Sequence, residues 1–121
     1  MKQERENPVR DKSYLFALRI VKVYQYLSEK KYERVLSKQL LRSGTSIGAN
    51  VREGINAQSK KEFIAKLNIA LKEAHESDYW ICLLRDGKYL TTEESSSLLK
   101  DCEELIRLLT SIIKTSRINL P

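Results

Sequence analysis

The chain has 121 residues, 41% of them hydrophobic and 31% charged, with a net charge of +6. That is the length and balance of one globular domain, and it excludes collagen-like, mucin-like and wholly disordered chains. Four Gly and two Pro are too few for an all-β fold built on tight turns. No apolar run approaches the roughly 20 residues that span a bilayer. The charged segment from Met1 to Lys12 is no signal peptide, so a cytoplasmic location is expected.

Residues 1–11 contain Pro8 and show no period, which predicts a flexible N-terminal tail. Asp11 or Ser13 is the expected cap of a first helix over 12–29. Phe16, Ile20, Val23 and Leu27 fall at 4-3-4 spacing, and Leu18 and Val21 form an adjoining apolar line. This arc is wide enough to need cover on more than one side. Residues 29–33 (EKKYE) read as a charged connector. A second helix over 34–58 carries Leu36, Leu40, Gly44, Ile47, Val51 and Ile55 at steps of three and four. The period runs through Gly44 and Gly48 without a phase slip, which predicts one unbroken helix and a close neighbour at the glycines.

Ser59 with Glu62 has the spacing of a capping box and should open a third helix over 60–86. Phe63, Leu67, Ala70, Ala74, Ser77, Ile81 and Leu84 form its stripe. Ile64, Ile69, Leu71, Trp80 and Leu83 lie outside it, a surplus that points to oligomerisation. Gly87 is the expected C-cap. Thr91 with Glu94 gives another capping box for a fourth helix over 92–116, with Leu98, Cys102, Leu105, Leu109 and Ile112 on one line. Residues 117–121 read as a C-terminal tail. The fold class is therefore all-α, an antiparallel up-and-down four-helix bundle over 12–116.

The charge is unevenly spread. Residues 1–61 hold 14 Lys and Arg against 6 Asp and Glu, whereas residues 62–121 hold 8 against 10. A basic half of this kind attracts polyanions such as RNA. Aromatic interleaving of the kind that stacks bases is missing.

Catalytic and metal patterns fail one by one. The two Glu-x-x-His motifs of a di-iron bundle are not met, because His75 is the single histidine and Lys72 stands three residues before it. HExxH and the P-loop pattern are not met either, and nothing near His75 resembles a nucleophile elbow. Cys82 and Cys102 form no CxxC pair and lie on apolar stripes, as reduced core thiols do; a disulfide between neighbouring helices is the lesser alternative. The expectation is a non-enzyme with no cofactor and no metal.

Residues 39–54 (QLLRSGTSIGANVREG) stand out. With Ser59 to Ile64, Leu67 to Glu76 and Tyr79-Trp80, they resemble the signature of the four-helix-bundle proteins encoded in 23S rRNA intervening sequences. The accessory variability determinant proteins of diversity-generating retroelements are similar. The resemblance covers roughly residues 13–115 and implies a ring-shaped homo-oligomer, a homopentamer, with RNA or a reverse transcriptase as partner. Within the motif, Arg42, Ser46, Asn50 and Glu53 recur at steps of four, four and three and share one helix face. Arg42 and Asn50 on that face can contact a partner, or Ser46, Asn50 and Glu53 can form a helix or subunit seam with Glu53 paired to a Lys or Arg. Arg42, Arg52, Lys60, Lys61 and Lys66 are the candidate nucleic-acid contacts. The functional expectation is a non-catalytic oligomer that binds RNA through a basic surface. The alternative is a protein–protein adaptor ring without nucleic-acid binding.

Overall fold

A computed structural model describes residues 6–120. The chain forms α1 (Pro8–Lys30), α2 (Leu36–Ile55), α3 (Lys60–Asp86) and α4 (Thr92–Ile118), with no strand among the described residues. Each helix packs on its neighbour in sequence, and α4 returns to α1 along a looser seam. The diagonal pairs α1/α3 and α2/α4 do not meet. This is the antiparallel up-and-down bundle expected from the periodicity.

Helix α1 starts earlier than predicted. Asn7, rather than Asp11 or Ser13, is the N-cap, and its Oδ1 accepts from the Arg10 N–H at 3.1 Å. Pro8 follows at the first helical position, where its missing N–H costs nothing and its fixed φ favours the helix. Residues 8–11 of the expected tail are thus helical, and Val9 among them is core. Residues 1–5 of that tail lie outside the described residues.

Helix α2 is unbroken through Gly44 and Gly48, as its period predicted. A Cβ on Gly44 would meet Ile20 Cγ1 at 2.9 Å, and one on Gly48 would meet the Ser13 carbonyl oxygen at 3.3 Å. The glycines therefore bring α1 and α2 into close approach. Helix α2 is shorter than the predicted 34–58 because Glu33 and Asn56 bound it. The Glu33 carboxylate accepts from the backbone N–H groups of Val35 and Leu36 at 3.0 Å and of Ser37 at 2.7 Å. Three of the N–H groups that α2 would otherwise leave unsatisfied are met by one side chain of the supposed connector.

Glu33 is buried. Burial pushes its pKa up, but the bonds from Leu36, Ser37 and Val35 outweigh it, and the carboxyl sits below its ordinary value. A depressed carboxyl pKa adds stability that is fully present above the unfolded value, about 4.3, and is lost as pH falls through the folded one. Glu33→Ala is expected to cost about 1–2 kcal/mol at neutral pH, as loss of a helix cap does. Denaturation of Glu33→Gln between about pH 3 and 6 should show a shallower acid loss than wild type. Parallel acid profiles would remove Glu33 from the pH response.

Helix α3 has the predicted bounds, with the Ser59 hydroxyl accepting from the Glu62 N–H at 3.1 Å. Helix α4 opens on the complete Thr91–Glu94 box and runs two residues beyond the prediction, into the expected C-terminal tail. The predicted stripes supply the core: Phe16, Ile20, Leu27, Leu40, Ile47, Val51, Leu67, Ile81, Leu84, Leu98, Cys102, Leu105 and Leu109 are all buried. Ile55, expected on the α2 stripe, is exposed at the end of the helix, and Val23, Leu36 and Phe63 are only partly buried. Two further positions differ. Ile64 faces the core, and Ile113 takes the buried position expected of Ile112. Serines serve where helices come close: the Ser77 hydroxyl lies 2.9 Å from both Ser43 Oγ and the Glu73 carbonyl oxygen, at the α2–α3 contact.

Candidate nucleic-acid interface

The Arg42, Ser46, Asn50, Glu53 face of α2 looks along its seam with α3. Arg42 reaches across to Glu73 at 3.2 Å and to Glu76, and Glu76 also accepts from Trp80 Nε1. Glu53 pairs with Lys66 of α3 at 2.9 Å. That bond and the Glu53 charge raise the Lys66 pKa. Ser46 and Asn50 do not cross the seam: Ser46 Oγ donates to the Arg42 carbonyl at 2.6 Å and Asn50 Nδ2 to the Ser46 carbonyl at 2.8 Å. Arg42 and Lys66 are thus engaged by carboxylates of the neighbouring helix. They tie α2 to α3 with the modest energy of part-exposed pairs.

The other three candidates differ. Arg52, Lys60 and Lys61 are exposed, and none has an ion-pair partner among the described residues. Arg52 lies over the Tyr14 ring of α1, 5.2 Å from its centroid. Lys60 and Lys61 open α3, where the helix dipole adds positive potential. All three stand at the end of the bundle where α2 stops and α3 starts. The antiparallel order brings the first turns of α1, with Arg10, and the last turns of α4, with Lys114 and Arg117, to that same end. Arg10, Lys114 and Arg117 were not among the sequence candidates. They are far from the motif in the chain, and only the topology gathers them.

His75 is exposed, and its neighbours Glu73 and Glu76 are turned to Arg42. Both thiols are free. Burial, then the Asp78 charge, pushes the Cys82 thiol up. The same causes, led by burial, push Cys102 up to about 12, and its Sγ lies 3.1 Å from the Ala74 carbonyl oxygen. A raised pKa disfavours the thiolate form of both side chains. Among the described residues, no group of three or more His, Cys, Asp or Glu is placed to hold a metal ion. None of the described helices is long and apolar enough to cross a membrane.

The family model for 23S rRNA-intervening sequence proteins matches residues 5–111. The chain belongs to that family. No curated protein matches it. The 23S rRNA-intervening sequence fold seen here is similar to a crystal structure from Bacteroides thetaiotaomicron VPI-5482, a protein of unknown function from the S23 ribosomal protein family. The two share 56% identity over 89% of this chain and 96% of that one, with a TM-score of 0.88. In this family member the distinctive 39–54 segment is most of α2, and its polar residues divide between the α3 seam (Arg42, Glu53) and the basic end (Arg52).

Proposed function

We propose that this protein is a non-catalytic, cytoplasmic homo-oligomer, a homopentameric ring, that holds structured RNA by phosphate contact. It acts as an accessory to ribosomal RNA intervening sequences or to a reverse transcriptase. The observation that carries the reading is the gathering of exposed basic side chains, Arg52, Lys60 and Lys61, at one end of the bundle without carboxylate partners among the described residues. Repetition around a ring would multiply weak contacts through avidity.

Oligomerisation is supported by apolar residues that the bundle leaves uncovered. Helix α1 exposes Tyr14, Leu15, Leu18 and Val21, with Leu15 62% exposed. Helix α3 exposes Ile69, Tyr79 and Leu83. These faces lie on diagonally opposed helices, which do not meet within one subunit. Two different faces pointing apart suit a head-to-tail contact, the kind that closes into a ring.

Light-scattering mass after size exclusion, with structured RNA at about 0.1 M and then 0.5 M salt, tests both parts. The expected result is a mass near five subunits with RNA co-eluting at the lower salt alone. An oligomer that never retains RNA would turn the reading to an adaptor that docks proteins. A monomer would remove the ring and the avidity argument.

A further inference from the structure

The α1–α2 corner of the basic end holds a polar cleft of about 360 Å³, lined by Arg10, Asp11, Arg52, Ile55 and Asn56. Its two guanidiniums are held in different ways. Arg10 Nε donates to Asp11 Oδ1 at 3.1 Å, which orients the Arg10 head at the cleft. Arg52 lays its guanidinium over Tyr14, so one face is taken by the ring while the N–H edge remains for bonding. A guanidinium edge is a planar fork matched to phosphate oxygens.

The two helix ends at the cleft act in opposite senses, and that of α1 favours an anion. Helix α1 starts here, and its dipole presents positive potential. Helix α2 ends here, but the Arg52 carbonyl accepts from both the Asn56 N–H at 3.2 Å and Asn56 Nδ2 at 3.0 Å, which quenches one carbonyl that would repel an anion. On the other side of Ile55 lies a second cleft, formed with Gly54, Ser59 and Lys60. Ile55 lines both, so the two are adjacent stations around the end of α2.

We infer that the Arg10–Arg52 cleft is a phosphate seat, filled by a backbone phosphate of bound RNA, with the Lys60 cleft taking the next phosphate of the same strand. This rests on the RNA reading above. The seat reads charge and shape rather than sequence, because its donors suit phosphate.

Fluorescence anisotropy of the full chain with a labelled RNA hairpin, titrated across salt, tests the seat. The double variant Arg10→Gln/Arg52→Gln should bind about tenfold more weakly at about 0.1 M salt. Its log–log salt slope should be shallower by about 1–2 for each engaged subunit. Lys38→Gln, on the first turns of α2 at the other end, should bind as wild type. Circular dichroism checks that the double variant folds. Wild-type affinity and slope in a folded double variant would overturn the seat while leaving RNA binding in place. A wild-type protein that binds no RNA would instead overturn the functional reading. Titration with inorganic pyrophosphate, followed by NMR at residues 10, 52 and 56, then decides the cleft alone. Saturable shifts that the double variant lacks would keep it as a seat for small phosphoanions, and flat titrations would overturn it.

Discussion

Replacing Gly48 with leucine is expected to cost about 3 kcal/mol of folding stability, at the upper end of what overpacking does in a core. The glycine is buried in mid-α2 and faces α1. A Cβ there would sit 3.3 Å from the carbonyl oxygen of Ser13 and 3.4 Å from its carbonyl carbon. Backbone cannot rotate aside as a side chain can, so α1 itself must move. Ser13 cannot yield easily either, since it is buried and its hydroxyl donates to the Arg10 carbonyl at 3.0 Å. Gly48→Ala sets two effects of similar size against each other. Alanine gains about 1 kcal/mol of helix propensity over glycine, and the tight Cβ contact spends much of it, so the net change should stay within about 1 kcal/mol. Urea denaturation at fixed protein concentration would read both, and in a thermal scan the leucine variant should melt about 10 °C lower. A leucine variant as stable as wild type would mean that α1 and α2 do not approach this closely in solution.

Gly48 also shows what the sequence makes legible. The stripe Leu40, Gly44, Ile47, Val51 keeps its phase across both glycines, so an unbroken helix with a close neighbour could be read directly. Which helix comes close could not, because that depends on the order of packing. The Arg42–Glu53 face was legible as a face; its partners Glu73, Glu76 and Lys66 belong to α3 and emerge only when the two helices lie antiparallel. Periodicity is silent on Glu33, since a capping carboxylate four residues before Ser37 sits in a stretch of mixed charge that looks like any connector. The early start of α1 had a local signal, Asn7-Pro8, but the missing apolar period hid it. The Arg10–Arg52 cleft joins residues 42 apart in the chain, and no motif spacing could have joined them.

Leu18→Lys should reduce the proposed ring to single subunits, and pairing it with a second variant identifies which faces meet. Tyr14, Leu18 and Val21 follow one another at steps of four and three, all at least 37% exposed, and Leu18 faces directly away from the core residues Phe16, Ile20 and Leu27. A lysine there leaves the bundle untouched, so helicity and the urea midpoint of the isolated subunit should not fall. In a ring it would place an unpaired charge in every interface, at a cost of several kcal/mol for each once desolvated. Leu83→Lys, on the outward face of α3, should have the same effect for the same reason. Mixed together, the two variants give different answers for different symmetries. In a head-to-tail contact, the intact α1 face of the Leu83→Lys subunit meets the intact α3 face of the Leu18→Lys subunit. That is one good interface, flanked by two spoiled ones, so the mixture should run at the mass of two subunits and stop there. A two-fold contact of α1 on α1 would behave otherwise: Leu83→Lys alone would remain a dimer, and mixing would add nothing. Light scattering of each variant and of the mixture separates these cases. An undiminished oligomer in both single variants would take the assembly away from these two faces altogether.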